Sequence, residues 1–135
     1  MTMDSRLRFV GSAPWLACTD LMATVDHYRD VLGFRGSWRW FWGEPPDHAG
    51  VSRGQTRICL FENAVRASSR RGLEVVIYVV GVADLYEELQ GAGAEVVRDL
   101  GERPWGTLDF TVADPDEVQL IFTEAPIWSA EEREG

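Results

Sequence analysis

At 135 residues the chain is long enough to bury a real core and too short for two, so a single domain over residues 1–135 is expected. Its 45% hydrophobic and 26% charged residues are ordinary for a globular protein. A net charge of −9 argues against duplex nucleic acid, whose phosphates it repels, and suits a cationic partner, while thirteen basic residues that are all arginine leave no lysine for a Schiff base.

Residues 1–12 form a leading arm in which Leu7, Phe9 and Val10 have an apolar strand pattern. Pro14 follows, and its fixed φ disfavours a fold-back hairpin. Ala13 to Cys18 reads as a short apolar strand, and Asp20 is a good N-cap for the helix after it. On that helix Leu21, Val25, Tyr28 and Leu32 make one inward stripe, and Gly33 ends it. Asp26, His27, Arg29 and Asp30 face elsewhere, so His27 reads as a solvent-facing or interface histidine.

Strand alternation over Ser37 to Trp42 puts Trp38, Trp40 and Trp42 on one face, with Arg39 and Phe41 on the other. Core packing rarely uses three adjacent indoles, because each N–H then needs a partner. A ligand cavity or a subunit interface therefore stands beside plain core as the reading. Glu44 to Gly50 closes the strand and carries Asp47 and His48. Val51 to Asn63 is its hairpin partner, with Ile58 and Leu60 alternating against Cys59 and Phe61. Ala64 to Gly72, with Arg66, Arg70 and Arg71, reads as a solvated linker. Cys18 and Cys59 read as buried reduced thiols of a cytosolic protein. No signal peptide precedes residue 10 and no apolar run has the length of a membrane span, so a cytoplasmic protein without a membrane partner is expected.

Leu73 to Val80 is a strand rich in β-branched residues. Val82, Leu85, Tyr86 and Leu89 mark a helix that stops near Gly91 and Gly93, and Ala94 to Arg98 is a further strand. From Gly101 to Phe122 a loop feeds a β-hairpin. Leu108, Phe110 and Val112 alternate with Thr107, Asp109 and Thr111, the period of a half-buried strand, and Asp114-Pro115-Asp116 supplies the turn. Val118, Leu120 and Phe122 resume the alternation. Trp105, between Pro104 and Gly106, stands at the hairpin's entrance, either stacking on something flat or capping the core. Residues 125–135 are an acidic tail.

The chain thus holds an internal repeat, residues 11–64 and 73–124, each in the order strand, helix, three strands. The fold class is α+β: two βαβββ modules forming an open, curved, barrel-like sheet with helices outside. The mouth of such a sheet is a natural pocket.

Several pieces of sequence sit on this plan: Ser12-Ala13-Pro14, Asp20 with Ala23-Thr24-Val25, Leu32-Gly33-Phe34, Ala49-Gly50-Val51, Gly81 with Leu85-Tyr86, Gly101 to Gly106, and Asp114-Pro115. Over residues 9–125 the chain resembles the vicinal oxygen chelate superfamily, which includes glyoxalase, bleomycin resistance and dioxygenase proteins, and is most similar to the bleomycin-binding ones. The resemblance implies a homodimer that exchanges its N-terminal arm about a hinge proline, here Pro14, in a domain swap. It also implies drug held in crevices between subunits, with Trp105 at the family's stacking tryptophan. The other stacking position is His48, whose imidazole offers less area than phenyl. Trp38, Trp40 and Trp42 then extend the aromatic surface, and Glu44 and Asp47 meet a cationic tail. Glu117-Val118 replaces the common glycine-asparagine of the turn; a side chain forced to positive φ there costs about 1–2 kcal/mol.

The superfamily's metal-holding positions fall at Ala13, at Cys59 or Leu60, at Glu74 and at Ile121. Only Glu74 suits a hard metal, whereas a catalytic site needs three protein ligands. No metal, no other cofactor and no catalytic residue is implied. The implied function is a non-catalytic, sequestering protein that confers resistance to a bleomycin-type or related planar cationic DNA-damaging antibiotic. A small-metabolite binding protein of the same fold, and a metal-dependent lyase or dioxygenase, stand as alternatives.

Overall fold

The computed structural model describes residues 6–42 and 47–126, with the backbone alone over residues 37–42. Strand β1 (Trp15–Cys18) leads into helix α1 (Leu21–Asp30). Asp20 caps that helix from extended backbone, its carboxylate accepting from the Ala23 amide at 3.1 Å. The inward stripe is buried as its spacing requires, with Leu21, Val25, Tyr28 and Leu32 no more than 3% exposed. Gly33 then takes φ +74°, the left-handed conformation that favours glycine, with the Arg53 guanidinium close beside it.

Three further strands, β2 (Arg35–Trp42), β3 (His48–Arg53) and β4 (Thr56–Glu62), complete the first sheet in the order β1-β4-β3-β2. Only β1 and β4 run parallel. Ser37 pairs with Gly50, yet Trp42 pairs with His48. Five residues of β2 therefore advance against two of β3, a bulge within the strand. The side chains of Trp38, Trp40 and Trp42, and Glu44 altogether, lie outside the described residues.

Ala64–Ser69 is a helix, α2, not the linker expected there. Asn63 caps it by accepting from the Arg66 amide at 3.0 Å, a local signal masked by the arginines that follow. The second half repeats the plan with β5 (Glu74–Val79), α3 (Val82–Gly91), β6 (Glu95–Glu102), β7 (Leu108–Ala113) and β8 (Gln119–Glu124), in the sheet order β5-β8-β7-β6. The amides of Gly81 and Val82 donate to the Glu124 carboxylate, so α3 is capped by a strand distant in sequence. Strand β6 runs past Arg98 to Glu102 with two register shifts. Strand β7 departs from the half-buried pattern: Asp109 and Thr111 are as buried as Phe110 and Val112.

Among the described residues no ladder joins the two sheets, which stay open and are not closed into a barrel. They share one apolar core in which Ile58 and Leu60 of the first half meet a cluster with Phe110, Leu120 and Phe122 of the second. Polar ties cross between them. The buried Tyr28 hydroxyl donates to Asp114 at 2.9 Å, and the Thr19 hydroxyl donates to Asp116 at 2.6 Å. Arg53 forks onto Glu88 at 2.7 and 2.9 Å. Burial pushes the Asp114 carboxyl up, opposed by donation from the Val118 amide, the Tyr28 hydroxyl and the Asp116 amide. His27 is not solvent-facing. It is half-buried with its ring edge on Tyr28, its Nε2 has no partner among the described residues, and burial lowers its pKa.

Glu117 in the β7–β8 turn takes φ +63°, the left-handed conformation expected for it. Among the described residues no helix is long and apolar enough to cross a membrane.

Candidate ligand site

The loop that carries Trp105 hangs from one buried carboxylate. The Arg103 amide donates to the Thr107 carbonyl at 2.8 Å, and the Gly106 amide, at φ +96°, closes the turn on Arg103 at 2.9 Å. Arg103 Nε donates to Asp109 at 2.7 Å, Thr107 Oγ1 donates to its second oxygen at 2.9 Å, and Arg98 approaches at 3.5 Å. Burial by itself raises the Asp109 carboxyl. Donation from Arg103 and Thr107, with the charges of Arg103 and Arg98, outweighs it and holds the group below its ordinary range. A loop so fixed projects Trp105 outward, 66% exposed, with the Arg98 guanidinium 5.9 Å from its ring centre. An indole this exposed does not cap the core.

His48 stands on the first sheet, which no ladder among the described residues joins to the second. Its Nδ1 lies 2.7 Å from the Asp47 carboxylate, and its ring is stacked at 25° and 6.1 Å on Phe61. Trp15 meets His48 edge-on at 5.6 Å and lies tilted on Phe61 at 6.1 Å, and Arg66 sits 5.2 Å over the Phe61 ring. Asp47 and His48 therefore come together, whereas Trp105 belongs to a separate sheet. Trp15 and Phe61 are members of this patch that sequence reasoning passed over. In an all-apolar run such as Ala13 to Cys18 the alternation is invisible, yet Leu16 and Cys18 face α1 and Trp15 the other side.

Pro14 immediately precedes β1, and its carbonyl accepts from the Cys59 amide at 2.9 Å. A cavity of about 310 Å³ adjoins it, lined by Ser12, Arg57, Val76 and Tyr78 among others. A larger one of about 650 Å³ lies between the halves beside Arg53 and Glu88, and among the described residues neither Asp47, His48 nor Trp105 lines it. At the candidate metal positions Ala13 precedes the first strand, Leu60 is core, and Cys59 is half-buried rather than buried as expected. Among the described residues no three of His, Cys, Asp and Glu gather where a metal could be held.

Residues 8–122 match the model of the Glyoxalase/Bleomycin resistance protein/Dioxygenase superfamily, and the chain belongs to that family. Among solved structures it is similar to the bleomycin-binding protein of bleomycin-producing Streptomyces verticillus, complexed with copper(II)-bleomycin. That match has 28% identity over 89% of this chain and 99% of the other, with a TM-score of 0.72. TioX from Micromonospora sp. ML1 is 26% identical over 86% of this chain and 100% of its own, with a TM-score of 0.71. The bleomycin resistance determinant encoded on transposon Tn5, at 17% identity and a TM-score of 0.73 over 87% of this chain and 98% of that one, shares the fold. No curated protein matches the chain.

Proposed function

We propose that the protein is a non-catalytic binder that sequesters a planar antibiotic of the bleomycin type and so confers resistance to it. The observation that carries this reading is Trp105, two-thirds exposed on a loop held rigid by Asp109. A large ring presented in a fixed position loses little freedom when a flat ligand stacks on it. The complex named for the Streptomyces verticillus protein supplies the ligand class. A ligand that reached both Trp105 and the His48 patch would touch two separate sheets, and a homodimer with crevices between subunits provides that arrangement. Leu7, Phe9 and Val10, at 75%, 100% and 88% exposure in the arm before Pro14, are the surface a partner subunit covers. Asp47 and Glu44, with Trp38, Trp40 and Trp42, complete the proposed site.

Titration with copper(II)-bleomycin and a panel of planar antibiotics tests the reading. Trp105→Ala is expected to weaken binding by about one to two powers of ten while leaving the melting temperature nearly unchanged. A folded variant that binds as tightly as wild type removes Trp105 from the site.

A further inference from the structure

Helix α1 of the first half meets the β7–β8 turn of the second in one joint. There the buried Tyr28 hydroxyl donates to Asp114 at 2.9 Å. Just before α1, the Thr19 amide and hydroxyl donate to Asp116 of the same turn at 3.1 and 2.6 Å. His27 stands beside Tyr28, the two rings edge-on at 6.2 Å. Its Nε2 is closed off from solvent and has no hydrogen-bond partner among the described residues. A protonated imidazole is a donor at both nitrogens, so Nε2 then holds a charged N–H with no acceptor.

The charges around the ring do not supply one. Asp114 on the turn and Glu95 at the start of β6 favour the charged form from the second half, yet neither reaches Nε2. The Asp114 oxygens already accept from Tyr28 and from the Asp116 and Val118 amides. On α1 itself Arg29 pairs with Asp26 and Asp30. From the first sheet Arg53 and Glu62 bond the Leu32 carbonyl and the Leu21 amide, at the two ends of the helix. Burial outweighs these influences and lowers the His27 pKa.

We infer that His27 is an acid-sensitive latch: on taking up a proton it parts α1 from the β7–β8 turn, until Nε2 reaches water or a carboxylate. The opening is local and leaves each half folded. The closed joint holds the proton less tightly than the open one. It is therefore intact above the open-state pKa of about 6.5, and weakens by up to about tenfold per pH unit below that, until the lower closed-state pKa is passed. The latch works in the free protein and is independent of the ligand reading above.

Amide exchange, read residue by residue by NMR, tests this on the full chain. His27→Phe is the comparison, because it keeps a ring of similar size that takes no proton, and His27→Gln replaces it if it unfolds. Asp114 titrates in both proteins, so its own response cancels in their ratio. The reporters are the Thr19, Asp116 and Val118 amides, all held by the two aspartates of the turn. From about pH 7.5 to about pH 5.5 their opening in wild type, relative to the variant, is expected to rise by up to about tenfold. They are expected to stay less protected than the most protected core amides. The His27 ring resonances are expected to titrate below the ordinary histidine range. A ratio that does not change with pH, or a His27 that titrates at or above that range, overturns the inference. So do reporters as protected as the core, because the halves then part only when the whole chain unfolds.

Discussion

On the second sheet the face turned away from α3 buries Asp109, Thr111 and Thr123 at its centre, none more than 4% exposed, with Val76 and Tyr78 exposed on its edge strand; the matching face of the first sheet has Trp15 half exposed on its own edge strand and Cys59 and Gly50 at its centre. Both sheets share one strand order, and both bury their apolar side against a helix. What separates them is what stands on the other side. A carboxylate placed centrally on the second sheet gathers Arg103, Arg98 and Thr107 over itself, because a buried charge is tolerated only when paired and hydrogen-bonded. At the centre of the first stand Cys59, half-buried, and Gly50, buried, with no carboxylate at the paired positions. Repetition of a strand pattern thus fixes where the core lies and leaves the second face to individual residues.

The contrast is broken most directly at its polar centre. Asp109→Ala is expected to cost about 3–5 kcal/mol in denaturant unfolding, since it strands Arg103, whose side chain is only 15% exposed. Its acid dependence follows from the lowered carboxyl. The contribution is intact above the unfolded-state pKa and drains away as pH falls through the lower folded one, so the wild type's advantage over the variant shrinks at strongly acid pH. A loss below about 1 kcal/mol means that Asp109 does not hold the second face closed.

Between the halves, Tyr28→Phe removes the hydroxyl that donates to Asp114 and is expected to cost about 1–2 kcal/mol. The Asp114 carboxyl is already raised, so its ionisation is a liability that grows as pH rises through the folded-state pKa. Losing a donor raises that pKa further, and the variant's deficit should widen from acid to neutral pH. A deficit constant across that range argues that the bond does not favour the ionised form.

The smallest effect sharpens the comparison at the hairpin turns. The first hairpin places Gly54 at φ +58°, while the second forces Glu117 to φ +63°. Glu117→Gly relieves about 1–2 kcal/mol of backbone strain. Against that stands roughly 0.5–1 kcal/mol of extra chain entropy lost on folding, and the exposed Arg71–Glu117 pair adds little. A net gain of up to about 1 kcal/mol in thermal melts is expected, and a destabilised variant shows that the pair or another contact outweighs the strain.

The sequence by itself determined the repeat, the helix caps at Asp20, the buried stripe on α1, the hairpin turn at Asp114 and the position of Trp105, because each depends on neighbours a few residues away. Chain-local chemistry of that kind is written in spacing. It also carried the family through short motifs. Tertiary structure alone decided the rest. Asn63 caps a helix inside a stretch whose arginines look like a linker, and Glu124 caps α3 from a distant strand. Thr111 is buried on a face that alternation assigns to solvent, and β2 carries a bulge that no spacing in the sequence marks. Trp15 becomes a surface ring only when β4 pairs beside it and sets Cys59 and Gly50 in its row. In each case the deciding partner lies on another strand, at a distance in sequence that no periodicity records.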